Sequence, residues 1–276
     1  MPCSRDELLR EPATYPPAKD ATGEAPRLAP FFHLIALEAI GSTNDEAMRL
    51  AAEGAEAGTL VWAKAQSRGR GRRGRSWASP RGNLYLSLIL RPDCPVATAA
   101  QLNFVAALGI GEGLAALSPR CPALRYKWPN DVLLDKRKVA GILLESSGSG
   151  KDSFEWLVLG VGVNVLSFPQ GTDYPATSLK AEGVEGLSVE NVLESFCDVF
   201  LAWLERWQRE GFAPVRAKWL ERAAALGERI EVRLDDETLA GTFAGLDESG
   251  ALILHKGGEQ VLRITAGDVF FPSAAD

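Results

Sequence analysis

The sequence predicts an α+β fold: a larger body of mixed strands and helices, followed by a small all-β unit. Three observations lead there. Between residues 31 and 226, strand-like and helix-like segments are interleaved instead of sorted into long runs of one kind. Within that body, 98–117 and the stretch after Ser188 are the segments long and apolar enough to be core helices. After Leu226 the texture changes. "ERIEVRLDDETLAGTFAGLDESGALILHKGGEQVLRITAGDVFF" is a row of short alternating strands broken by "DDET", "DESG" and "KGGE". Regular short strands separated by turn chemistry predict a small β-barrel of about fifty residues, with a domain boundary near 226.

In chain order, residues 1–30 are rich in proline, alanine and charge, and read as a tail with too little periodic apolar surface to order itself. The ordered catalytic-sized body is expected from 31 to 226 and the β-unit from 227 to 276. A helix is expected to start around Ser42 to Asn44, because Thr43 and Glu46 have capping-box spacing. Strands are expected at 58–66 and 83–90, the second with Leu84, Leu86, Leu88 and Leu90 on one face. A long apolar helix should cover 98–117, then strands 123–128, 131–135, 139–146 and 154–165. Val189, Val192, Leu193, Phe196, Val199, Phe200, Trp203, Leu204 and Trp207 make one helical stripe, with Ser188 as N-cap. Aromatics at that spacing are core packing.

Composition narrows the function. The chain has 276 residues and a formal net charge of −6, which argues against broad nucleic-acid binding. Cys3, Cys94, Cys121 and Cys197 are scattered without metal-ligand spacing, as in a reduced, cytoplasmic protein. His33 and His255 are the only histidines, so histidine-based catalysis has little to work with. "MPCSRDELLR" has no signal-peptide core, and no apolar run of membrane-helix length is expected, so no membrane partner is either.

Against that acidic background, "QSRGRGRRGRSW" at 66–77 stands out. Glycines 69, 71 and 74 let the backbone approach a ligand, and arginine offers a permanently charged fork suited to carboxylate or phosphate. The pattern contains GxGxxG but leads to a strand, so it fails the context of a dinucleotide fold. A solvated charged loop is the leading reading at this point, ahead of phosphate binding. A second stretch, "RYKWPNDVLLDKRKVAGILLES", places Lys127 and Asp131 about a turn and Gly141 inside a strand pattern. In "LGVGVNVLS", Gly160 and Gly162 leave a flat strip on one strand face, with Asn164 beyond them.

"STN" at 42–44, "GRGRRGRSW" at 69–77, "KWPND" at 127–131, "KVAGIL" at 138–143 and "GVGVN" at 160–164 together resemble biotin protein ligases in order and spacing. The resemblance spans about residues 38–276. It implies a mixed sheet with helices like that of class II aminoacyl-tRNA synthetases, plus an SH3-like C-terminal barrel. It implies activation of biotin by ATP with Mg²⁺, then transfer to a lysine of a biotin carboxyl carrier protein domain. Ser42, Thr43, Asn44 and Gln66 would hold the biotin ring system, and Tyr85 and Gly141 would line its slot. Arg70, Gly71 and Arg72 would close over the carboxylate and phosphate, with Lys138 reaching the same oxygens. Trp77, Asn130, Asp131 and Asn164 would serve the nucleotide side. Arg68, Arg73 and Arg75 are expected to be solvent-facing or structural. Strand edges near 139–146 offer a means of homodimer pairing. The tail has no counterpart of a DNA-binding domain, so a ligase without DNA binding is expected. A lipoate or octanoate transferase shares the fold, and an RNA-binding module is the alternative from another class.

Overall fold

The computed structural model describes residues 26–118, 124–147, 154–258 and 260–271. Most of the expected tail therefore lies outside the described residues. Its last part does not behave as a tail, since Leu28 and Ala29 pack against the core and the Arg27 amide donates to Glu194 Oε1 at 2.7 Å.

The chain runs β1 (His33–Leu37), α1 (Thr43–Ala52), β2 (Thr59–Ala63), β3 (Leu84–Leu90), α2 (Val96–Ala99) and α3 (Leu102–Leu117). It continues through β4 (Leu124–Lys127), β5 (Asp131–Leu134), β6 (Arg137–Ser146), β7 (Leu157–Val163), α4 (Val189–Glu210) and α5 (Phe212–Leu220). β8 (Arg229–Arg233), β9 (Thr238–Leu246), β10 (Leu252–Gly257), β11 (Gln260–Ile264) and β12 (Asp268–Phe270) complete it. The first seven strands form one sheet in the order β1-β2-β3-β7-β6-β5-β4. Only β1 and β2 pair in parallel, joined through α1; the other neighbours are antiparallel. The last five strands form an antiparallel sheet in the order β11-β10-β9-β8-β12.

Strand periodicity sorts the two faces of the large sheet. Leu60, Leu86, Leu88, Leu159 and Ile142 belong to the core beneath α3 and α4. Val61, Ile89 and Val158 point the other way and pack under α1. β3 is thus buried on both faces, which its alternating leucines alone did not require. α3 is apolar around most of its circumference, Asn103 and Glu112 excepted, as a helix between a sheet and other helices must be. It meets α4 closely at Gly109, where a Cβ would stand 3.1 Å from the Phe196 ring and from Phe200 Cβ. α4 carries a capping box from Ser188 to Asn191 and buries the expected stripe from Val192 to Trp207.

Four expectations change. The 98–117 segment is two helices, broken at Ala100–Gln101. Val96–Leu117 as a whole is long and apolar enough by composition to cross a membrane, but 67% of that window is buried inside the protein. The α1 N-cap is Ser42 and not Thr43: both the Thr43 amide and hydroxyl are taken by Gln66 Oε1, at 2.8 and 3.0 Å. Finally, β6 is not a sheet edge, because β7 pairs along it from Ala140 and β5 covers Arg137–Gly141. Only its 143–146 portion has a free side. β4 is the terminal strand, and Arg222 and Ala224 hydrogen-bond its outer edge at Tyr126.

The small sheet shares the main core through Trp128, whose indole N–H donates to Gly250 O at 3.0 Å, and through Phe104 packed beneath Gly250.

Candidate active site

α1 covers only part of its face of the large sheet. The remainder is the floor of a cavity of about 640 Å³, within the roughly 300–1,000 Å³ of small-molecule sites. The residues to which the resemblance gives ligand roles all line this cavity: Ser42, Thr43, Asn44, Gln66, Arg70, Gly71, Arg72, Trp77, Tyr85, Asn130, Asp131, Lys138, Gly141 and Asn164. Ladder register explains the floor, since Tyr85, Gly162 and Gly141 stand side by side on β3, β7 and β6, and Ser87, Gly160 and Leu143 form the next row.

One end is neutral and polar. The α1 N-terminus brings Ser42, Thr43 and Asn44, all buried, against β3. Ser87 Oγ lies 2.8 Å from Thr43 Oγ1 and 2.5 Å from Asn44 Oδ1. Gln66 Oε1 accepts from Thr43 while Nε2 donates to Ser79 Oγ at 2.9 Å, which fixes the amide's orientation. The expected open glycine strip is instead covered by the protein itself. A Cβ on Gly160 would meet Asn44 Oδ1 at 2.2 Å, and one on Gly162 would meet Trp77 Nε1 at 2.7 Å. Trp77, expected on the nucleotide side, lies across Gly141 and Gly162, and its buried Nε1 has no hydrogen-bond partner among the described residues. Tyr85 contributes its ring; its hydroxyl donates to Pro80 O at 2.8 Å, and burial pushes its pKa up to about 12.

The other end is cationic. Lys138 Nζ is 2.6 Å from Asp131 Oδ1, and Lys127 Nζ is 3.3 Å from Asp131 Oδ2. Burial raises the Asp131 carboxyl, but the two ammonium groups outweigh it and hold the pKa below its ordinary value. Lys127 is pushed the opposite way to a paired surface lysine: burial lowers its pKa more than Asp131 raises it. Its ammonium sits 4.3 Å from the Tyr174 ring centroid. Lys138 is held by its backbone, which exchanges hydrogen bonds with Pro175 and Thr177 at 2.7 and 2.9 Å. Asn130 Nδ2 donates to Ile142 O at 2.6 Å and its Oδ1 accepts from Arg72 at 3.1 Å. Asn164 Nδ2 donates to Thr177 O at 2.9 Å, leaving a buried Oδ1 with no partner among the described residues.

The arginine loop joins the two ends. Arg73 at φ 54° and Gly74 at φ 71° turn it. Gly69 is required by closeness, since a Cβ there would lie 2.4 Å from both Trp77 O and Ser79 Oγ. Arg70 pairs with Asp45 at 2.6 Å and with Glu145. Arg72 and Arg75 pair with Asp268 of β12 at 3.2 and 2.9 Å, and Arg73 pairs with Asp235 at 3.1 Å.

Sequence reasoning gave no ligand role to Lys127, Tyr174, Asp268 and Phe270, and expected Arg75 to be solvent-facing or structural; all five line the cavity. Lys127 was visible beside Asp131 in "KWPND"; Asp268 carried no local signal, because its partners lie nearly two hundred residues away.

Two family models match. The biotin/lipoate A/B protein ligase family matches residues 75–221, and the biotin protein ligase C-terminal domain matches 225–271. A biotin–[acetyl-CoA-carboxylase] ligase from Paracoccus denitrificans is 44% identical over 236 residues, covering 83% of this chain and 97% of that protein. The chain belongs to the biotin protein ligase family. The Mycobacterium tuberculosis biotin–[acetyl-CoA-carboxylase] ligase is 35% identical, over 83% of this chain and 85% of its own length. The bifunctional ligase/repressor BirA of Bacillus subtilis is 33% identical, over 86% and 73%. Among solved structures, the biotin protein ligase from Aquifex aeolicus in complex with biotin and ATP superimposes with a TM-score of 0.73 at 28% identity, covering 86% of this chain and 97% of that one. The C-terminal model is named for biotin protein ligases alone, whereas the broader model names the lipoate enzymes as well.

Proposed function

We propose that this biotin protein ligase activates biotin with ATP and transfers it to a lysine of a carboxyl carrier domain. The observation that carries the reading is the unlike pair of cavity ends: amides and hydroxyls at one, and lysines and arginines at the other. Biotin is built the same way, with a neutral ureido ring joined by an apolar chain to a carboxylate. Ser42, Thr43, Asn44 and Gln66 bind the ring, and Tyr85, Gly141 and Trp77 flank the chain.

In the first step a biotin carboxylate oxygen attacks the ATP α-phosphorus, and the bond to the leaving diphosphate breaks. The obstacle is bringing two anions together. Lys138, Arg70 and Arg72, with the Gly71 backbone between them, offset that repulsion, and little covalent work falls to the protein. In the second step the acceptor lysine amine attacks the acyl carbon of biotinyl-5′-AMP, AMP leaves, and the amine loses a proton.

Asn130, Asp131 and Asn164 take the nucleotide side. Among the described residues no cluster of three or more His, Cys, Asp or Glu forms a metal site. Asp131 and the unpartnered Asn164 Oδ1 are hard oxygen donors of the kind Mg²⁺ accepts beside phosphates. Mg²⁺ bound with ATP supplies neutralisation of phosphate charge. Cytoplasmic residence fits Cys197, a buried free thiol.

The test is incubation with biotin, ATP, Mg²⁺ and an acceptor domain, with mass spectrometry for biotin on the acceptor lysine. Lys138→Ala should remain folded and lose adenylate formation by about 10²–10³-fold. Incorporation of lipoate but not biotin by the native chain would overturn the substrate assignment.

A further inference from the structure

Glu145 has no part in the reaction as described, yet it touches both ends of the site. Its Oε2 accepts from Asn44 Nδ2 at 2.8 Å, and its Oε1 accepts from Arg70 Nη2. The second arm of Arg70 donates to Asp45 Oδ1 at 2.6 Å. Period two places Glu145 on the same face of β6 as Gly141 and Leu143, the cavity floor. An acid on that face is not explained by packing.

The two carboxylates that hold Arg70 differ in kind. Glu145 stands on a central strand paired with Val158 of β7, and its side chain is 22% exposed. Its other oxygen is fixed on Asn44, a buried side chain pinned against Ser87 and Gly160. Asp45 lies in the first turn of α1 and is 42% exposed. The pair with Asp45 is therefore the one that solvent competes for and that exchanges readily.

We infer that Glu145 is a positioning residue, which keeps one arm of Arg70 anchored while Asp45 is the carboxylate that a substrate anion displaces. This rests on the function proposed above. Arg70 between two carboxylates leaves the cluster with one net negative charge. An incoming biotin carboxylate is repelled until Asp45 lets go. Once it does, Glu145 still sets where the free arm points and ties that direction to Asn44 at the ring-binding end. Binding of the ring and placement of the arginine thereby share one carboxylate.

The two acids then have opposite effects, which a merely structural role for both would not produce. Asp45→Asn removes the competing charge and should lower the KM for biotin several-fold, with kcat little changed. Glu145→Gln keeps an oxygen for Asn44 but loses the charge on Arg70. It should lower kcat for adenylate formation by about tenfold or more, the size expected for a charge-assisted hydrogen bond. Both are measured by pyrophosphate release at varied biotin and ATP, beside thermal melts. If Glu145→Gln fails to fold, Glu145→Asp and the Asp45→Asn arm still decide the matter. In an Arg70→Ala background, Glu145→Gln should cost nothing further. The inference is overturned if Glu145→Gln turns over within twofold of the native enzyme, if Asp45→Asn raises the biotin KM, or if the Arg70 and Glu145 effects simply multiply. A native chain that makes no biotinyl-adenylate would sink the proposed function instead.

Discussion

Asp131 is a single carboxylate serving two ammonium groups at a site almost closed to water, and its energetics follow from that. Lys138 keeps partial solvent contact, whereas Lys127, at 7% side-chain exposure, has Asp131 as its counter-ion. Removing the carboxylate strands a buried cation. Asp131→Asn should therefore lower the unfolding free energy by about 3–5 kcal/mol, read from urea denaturation near neutral pH. The pH dependence has a definite sign. The Asp131 pKa is depressed in the folded state, so its contribution is fully present above the ordinary carboxylate pKa of about 3.9 and disappears as pH falls through the lower folded value. The variant should show a flatter acid limb than the native chain in the same titration.

The arginine loop, taken as an element, is a self-closing turn before it is a ligand site. Gly69 packs on Trp77 O and Ser79 Oγ, and Gly71 N donates to Arg75 O at 2.7 Å. Gly69→Ala pushes one strand of the turn from the other. A shift of this order costs activity more than stability, about 10²-fold in adenylate formation, with the melting temperature nearly unchanged. The sequence showed this loop well, because glycine spacing and repeated arginines are local signals. Strand alternation in "NLYLSLIL" and the α4 stripe were legible for the same reason. The break at Ala100–Gln101 was not, because in a segment whose apolar residues run around most of the helix the periodicity is too weak to show an interruption. Nor was the filling of the Gly160 and Gly162 strip. That depends on Asn44 and Trp77 arriving from distant segments, and an alternating pattern records which face a residue takes but not what meets it there.

At the scale of the molecule, the small sheet is part of the site. Asp268, 16% exposed, is shared by Arg72, Arg73 and Arg75, and Phe270 lines the cavity beside it. Asp268→Asn should leave the core intact while freeing the loop's second half. The expected outcome is a KM for ATP raised about tenfold, as for loss of a charge-assisted contact, with little change in thermal unfolding. Equal values for variant and native enzyme would show that the loop is held by other means. The large sheet is complete in sequence at Val163, and a chain made from its N-terminus forms such elements first. Arg75 leaves the ribosome 193 residues ahead of the aspartate that fastens it. From Val163 to Asp268 the growing protein thus has the strands of its sheet but an unfastened arginine loop, and it gains the finished site only with β12.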